Sequence, residues 1–263
     1  MTKNWEIIEA IEKYAPIDLA EEWDQPGLAF GSFYAEVKGI LLALDLTPEL
    51  VREAAEKNIE LLIVHHPPLF NAIHSLTDAT VEGKMQLDLI TKGISCYSAH
   101  TNLDRSPGGI AAGLARKLQL DVEEEAYQTL MPLEGRPEFG YGLYATLCQE
   151  QSFFDFERLI AKRLEIPACQ RFNSKNSQLK KIALFPGSFD ESCILRLEEI
   201  AADVLICGEI KHHLALMLEA RDIRVLAVGH DVSERDGMNL LAAYLSCEFP
   251  ELKIEVKQGI DYN

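Results

Sequence analysis

Short aliphatic runs alternate along the chain with stretches whose apolar residues recur at helical spacing, and that order predicts an α/β protein. Trp5, Ile8, Ala10 and Ile11 mark a helix over 5–14 that ends before Pro16. Residues 21–28 are rich in turn formers and read as a loop. An apolar run over 39–46 has strand length, and Thr47-Pro48-Glu49 then opens a helix over 49–57 with an N-cap, a proline in the first turn and an acid beside it. The next strand, 59–64, ends abruptly at His65-His66-Pro67-Pro68, where two prolines forbid further regular strand. Strand–helix–strand in this order reads as a parallel crossover unit. Ligands of such sheets bind at the carboxyl ends of the strands.

The pattern continues with a polar loop over 71–80, a helix over 81–92 closed by Gly93, and a strand over 94–99. His100-Thr101-Asn102-Leu103-Asp104 leaves that strand, and Ser106-Pro107 is expected to start a helix to about Leu118. Residues 121–136 are acidic, then turn-like, and are the expected boundary between a lobe of 1–125 and a lobe of 126–263. The second lobe is expected to hold strands at 139–148, 181–185, 204–207, 224–228 and 253–257. Helices are expected at 152–164, 190–201, from His212 to about Ala220, and over 235–245. Each half carries a His-His pair, and later a strand followed by His-x-x-x-acid and a helix. His65-His66 thus matches His212-His213, and His100…Asp104 matches His230…Glu234. This predicts two pseudo-repeated α/β lobes facing each other across a cleft.

Composition narrows the class. With 48% hydrophobic and 25% charged residues the chain can bury a sizeable core and is not of the disordered type. No run reaches the ~18 apolar residues of a spanning helix, and the N-terminal residues lack the apolar block of a signal peptide, so a cytoplasmic protein is expected. The net charge of −17 argues against nucleic acid and anionic lipid as partners, and suits a cation-binding protein without requiring one. None of the six cysteines lies in a C-x-x-C pair, which disfavours four-cysteine zinc and favours buried reduced thiols.

Candidate chemistry resides in the histidines. Neighbouring residues of an extended strand point to opposite faces, so His65 and His66 are expected to serve two ions, or one ion and a substrate. A histidine and an acid four residues apart can converge on one metal if the backbone turns once, which brings in His100 with Asp104 and His230 with Glu234. Imidazole and carboxylate together suit zinc, iron, manganese or cobalt. Two such ions ~3.5–4 Å apart would lower the pKa of a shared water towards about 7, making it the nucleophile. Plain structural roles stand beside each of these. His65-His66 can cap a strand, His100 can donate to a buried carbonyl while Asp104 shapes a turn, and His212 and His213 fit a structural helix start better than a ligand role. His74 reads as a loop histidine, and Gly108-Gly109 is a weak phosphate signal.

Taken together the motifs resemble the Nif-three-like dinuclear metal centre family, whose members are also called GTP cyclohydrolase I type 2 homologues. The resemblance runs almost end to end. It rests on Trp23-Asp24 with Gly27-Leu28, on Leu44-Asp45-Leu46-Thr47-Pro48, on His65-His66-Pro67, on Ser98 to Asp104, on Gly208-Glu209 with His213, and on Gly229-His230 with Ser233-Glu234. It implies two interlocked α/β lobes with a metal pair between them. His65, His66, Asp104, His230 and Glu234 would be ligands of two divalent ions (zinc, iron or manganese), with Glu234 or Asp104 bridging. His100 would lie beside the metals as a proton-transfer group. It also implies trimers stacked into a homohexamer; the ferredoxin-like insertion of some members has no room here. Gln25-Pro26 and His212 depart from the family pattern and bear on substrate contacts, not on the metals. The function these readings imply is metal-dependent hydrolysis of a small molecule. The alternative is a non-catalytic oligomer that stores, senses or delivers iron or zinc; a nucleic-acid scaffold is disfavoured by the charge.

Overall fold

The computed structural model describes residues 1–123 and 127–257, and the α/β class expected from the sequence is the class it has. In chain order the elements are α1 (Asn4–Tyr14), β1 (Gly27–Phe30), β2 (Gly39–Ala43), α2 (Pro48–Glu56), β3 (Leu61–Val64), α3 (Val81–Lys92), β4 (Ser95–Ser98), α4 (Thr101–Asp104) and α5 (Ile110–Leu118). There follow β5 (Gln128–Leu133), β6 (Arg136–Ser152), α6 (Phe153–Leu164), β7 (Gln170–Phe172), β8 (Gln178–Ser188), α7 (Ile194–Glu199) and β9 (Val204–Glu209). The chain closes with α8 (His212–Glu219), β10 (Arg224–Ala227), α9 (His230–Glu248) and β11 (Lys253–Val256).

The backbone packs as two units. One comprises the residues up to Gly109 together with those from Met238 on; the other is Ile110–Gly237. Neither break coincides with the expected 125/126 boundary. The C-terminal difference has a simple cause: β11 pairs in parallel with β2, so the end of the chain returns to the first sheet.

The first unit holds a sheet of order β1-β4-β3-β2-β11. Strands β2, β3 and β4 are parallel to one another, and every residue of the three is buried, which is why they read as unbroken aliphatic runs and not as alternation. Leu41, Leu62, Val64 and Cys96 pack with Leu50, Val51 and Ala54 of α2. The predicted cap grammar holds at α2, where Thr47 accepts from Leu50 N at 3.1 Å, and at α3, where Gly93 takes the left-handed conformation with φ +67°. The edge strand β1, antiparallel to β4, falls where turn formers suggested only loop.

The helix expected at Ser106-Pro107 begins instead at Ile110. Residues 101–104 first make a turn of their own, and the Ser106 hydroxyl donates back to Asn102 O at 2.9 Å, so it does not serve as the N-cap.

The second unit holds a sheet of order β5-β6-β8-β9-β10-β7, with β8, β9 and β10 parallel and the outer pairings antiparallel. Two apolar layers cover it, one built around Phe153, Phe156 and Ile160 of α6, the other around Leu197, Leu214 and Leu218. Strands β5 and β7 fall in segments whose polar and turn-forming residues hid them. The last helix starts at His230, five residues before the expected start, because Gly229 (φ +105°) turns the chain directly out of the preceding strand. Among the described residues no helix is long and apolar enough to cross a membrane.

Candidate metal centre

In the first unit the candidate residues gather at the carboxyl ends of β3 and β4. His65 N and His66 N both donate to Leu44 O, at 3.1 and 2.9 Å. Successive N–H groups of a strand point in opposite directions, so two on one carbonyl mean that the chain has left strand geometry. This corrects the expectation that the two imidazoles diverge. Their ring centroids lie 5.0 Å apart, and one potential ligand atom from each of His65, His66 and His100 lies within 4.8 Å of the others.

Each of the three rings is held through Nδ1. His65, buried, donates from Nδ1 to Ala99 O at 2.8 Å; a carbonyl only accepts, so Nε2 carries the lone pair. His65 Nε2 lies 3.5 Å from Asp104 Oδ1. His66 Nδ1 lies 2.8 Å from Asp45 Oδ1, and His100 Nδ1 lies 3.0 Å from Asp24 Oδ1. A histidine that ligates a metal characteristically gives its other ring N–H to a carbonyl or carboxylate, and all three rings fit that description.

Asp24 is held on several sides. Its side chain is 1% exposed and also accepts from Gln25 N at 2.8 Å, Thr101 N at 3.0 Å and Thr101 Oγ1 at 2.5 Å. Burial alone would raise its pKa. The hydrogen bonds from Thr101 and His100, with the His100 charge, outweigh burial, and the net shift is downward. The turn itself is fixed by Asn102, which accepts from His100 N at 3.0 Å and donates to Ala15 O at 2.8 Å.

In the second unit the candidates gather at the ends of β8, β9 and β10. His230 and Glu234 are i, i+4 neighbours on the first turn of α9, with Nε2 3.1 Å from Glu234 Oε1; Nδ1 lies 3.3 Å from Glu209 Oε1. Glu234 is buried. Its place is set by close backbone approach. A Cβ on Gly187 (φ +70°) would stand 2.4 Å from Glu234 Oε1, and one on Gly208 would stand 2.5 Å from Gly187 O. Ser233 ties the end of β8 to the helix, accepting from Gly187 N at 2.9 Å and donating to His230 O at 2.7 Å.

The imidazole and carboxylate atoms in both places are the hard-to-borderline donors that divalent zinc, iron or manganese accept. His212 and His213 lie exposed on the first turn of α8, and His74 is exposed in its loop. Gly108 and Gly109 do not form a phosphate cradle. The Tyr14 hydroxyl donates to Gly108 O, and a Cβ on Gly109 would overlap Leu103 O. Sequence reasoning assigned no role to Asp24, Asp45, Gly187, Glu209 or Ser233. A signal existed for Asp45, a lone acid ending an apolar strand just as His65 does; Gly187 carried none beyond being a glycine after a strand.

The Duf34/NIF3 (NGG1p interacting factor 3) family model matches residues 2–260. A GTP cyclohydrolase 1 type 2 homolog of Clostridium perfringens is 32% identical over 229 residues, 87% of this chain and 86% of that protein. The GTP cyclohydrolase 1 type 2 of Helicobacter pylori is 29% identical over 245 residues, 93% of this chain and 91% of that one. Among solved structures, the Staphylococcus aureus hypothetical protein SA1388 superposes with a TM-score of 0.90 at 25% identity, covering 99% of each chain. Reduced HcgD from Methanocaldococcus jannaschii does so at 0.80 and 30% identity, covering 97% of each.

Proposed function

Because the chain belongs to the Duf34/NIF3 family, we propose that it is a dinuclear metal-binding protein that hydrolyses a small molecule. His65, His66, Asp104, His230 and Glu234 are the proposed ligands of two divalent ions, and His100 the proposed proton-transfer group. The observation that carries this reading is the uniform use of Nδ1. His65, His66 and His100 each commit that nitrogen to an acceptor, which assigns Nε2 as the lone-pair atom in all three. When bound, divalent ions supply Lewis acidity and an activated water.

The protein's own residues supply the rest. Asp24 holds His100 in one tautomer and stabilises the imidazolium that forms when His100 accepts a proton. His100 then returns the proton to the leaving group. The relatives named as GTP cyclohydrolases support hydrolysis as the reaction class, and the proposed assembly is a homohexamer.

The test pairs metal analysis with turnover screening against nucleotides and cyclic amides. His65→Ala should keep at most one of two metal ions and lose turnover. His100→Ala should keep its metal and lose turnover by roughly 10²–10⁴-fold. Loss of metal in His100→Ala would make His100 a ligand instead. Full metal content without turnover of any compound would favour a storing or sensing role.

A further inference from the structure

A guanidinium taken out of water needs its donors met, and one in the second unit is left short. Arg224, the first residue of β10, has a side chain only 9% exposed. Its Nη1 donates to Asp222 O at 2.5 Å, and its Nη2 lies 3.5 Å from Asp222 Oδ2. Its Nε is buried and has no partner among the described residues. Nε and Nη2 form one edge of the guanidinium fork, an edge that can take both oxygens of a carboxylate. Here the edge meets one oxygen, well beyond the ~2.7–2.9 Å of a charge-assisted hydrogen bond. Asn173 stands beside it. Strands β7 and β10 pair in antiparallel register through Phe172 and Val225, so Asn173 and Arg224 come next along the two chains. Asn173 is 8% exposed, its Nδ2 lies 3.5 Å from Asp222 Oδ1, and its Oδ1 has no partner among the described residues. Guanidinium and amide thus converge on one carboxylate, and neither closes on it. The backbone holds Asp222 back: its φ is +58°, and its carbonyl is fixed by Arg224 Nη1. Its side chain is 67% exposed, so little burial is lost when it swings away. The guanidinium of Arg171, on β7, is already engaged by Glu157 at 3.3 Å.

We propose that Arg224 and Asn173 form a binding seat for the carboxylate of a small organic acid, a seat that Asp222 fills only loosely. A carboxylate not tethered to the chain can approach Nε and Nη2 together and still accept from Asn173 Nδ2. The unpartnered Asn173 Oδ1 offers an acceptor to a hydroxyl or amino group next to that carboxylate, which favours hydroxy and amino acids over simple ones. The seat lies at the amino end of β10, whereas His230 follows the carboxyl end of the same strand. It is therefore separate from the residues proposed to hold metal, and it stands whether or not that proposal does.

The test is calorimetric titration of the full chain with lactate, propionate and chloride at one ionic strength, with and without added zinc. Lactate should bind saturably and chloride should not. Propionate, which lacks the hydroxyl, should bind roughly tenfold more weakly. Asp222→Gly removes the resident carboxylate and suits the positive φ, and should tighten lactate binding about tenfold. Asn173→Gly, also at positive φ (+50°), should weaken it about tenfold, and Arg224→Gln should abolish it. If Arg224→Gln does not fold, the two glycine variants still decide the matter, because their expected effects have opposite signs. Lactate affinities within twofold of the parent in both glycine variants would overturn the proposal. So would the absence of saturable lactate binding in both the parent and Asp222→Gly. Lactate binding that appears only with zinc would put the acid on the metal and would also overturn it.

Discussion

The two His-x-x-x-acid turns share a spacing and differ in construction. In α9 the backbone is helical from His230 on, so His230 and Glu234 face each other at 3.1 Å, as i, i+4 residues do. At the start of α4, His100 is a cap with φ −112° and ψ −111°, outside the helical region. Its ring turns to Asp24, and Asp104 faces His65 instead. Equal spacing therefore predicts a shared neighbourhood, and the backbone at the first residue decides which partner each side chain meets. The supports differ as well. The first unit orients imidazoles with hydrogen bonds donated from Nδ1; the second places a buried carboxylate by bringing glycine backbones close to it.

This contrast can be broken at its tightest point. Gly208→Ala would force a Cβ within 2.5 Å of Gly187 O and 2.6 Å of Ser233 Oγ. It should cost about 3 kcal/mol in urea unfolding. Gly93→Ala, left-handed at φ +67° but with nothing within 4 Å, should cost about 1 kcal/mol. Equal costs would mean that the three strand ends of the second unit are not closely packed.

The hydrogen-bonded side is sharpened by comparing two acids. Asp24→Asn removes a buried carboxylate that accepts four hydrogen bonds and should cost about 1–3 kcal/mol. Asp45, whose side chain is 50% exposed, should cost under about 1 kcal/mol in Asp45→Asn. The pH dependence has a definite sign. The folded Asp24 carboxyl titrates below its ordinary value, so its stabilisation is complete above about pH 4 and is lost as pH falls through the depressed folded pKa. Acid unfolding curves should therefore fall less steeply in Asp24→Asn than in the parent chain.

The smallest effect is a pattern of labelling. Cys148 and Cys247 are exposed and should react with a thiol reagent before the buried thiols, Cys148 more slowly than an ordinary exposed thiol because Asp121 beside it raises its pKa. Cys96 in the first unit and Cys169 and Cys193 in the second are buried, with burial pushing each thiol up to about 12, and Cys207 is raised by the same cause. These four should react only on opening, and their order under mild urea reports which unit opens first, by mass spectrometry of the labelled peptides.

Much of this was legible from residue order. The buried parallel strands announce themselves as aliphatic runs, and Thr47, Ser152 and Gly93 mark helix ends because capping is local chemistry. Edge strands were hidden because β1 and β5 are only partly buried, and the partner of β1, strand β4, lies far along the chain. The histidines and acids were legible as a set. Their arrangement was not, since it turns on two peptide N–H groups sharing Leu44 O and on the non-helical backbone at His100. Asp24 was visible in the Trp23-Asp24 motif, but its role was not, because its partners, Thr101 and His100, are more than seventy residues away.

The central claim is the proposal that His65, His66, Asp104, His230 and Glu234 serve as ligands of two divalent ions. Metal counting tests it most directly. Chelator-stripped protein titrated with zinc at neutral pH should take up two ions per chain, with at most one in His65→Ala and at most one in Glu234→Gln. No uptake by the parent chain, or an undiminished count in both variants, would contradict it.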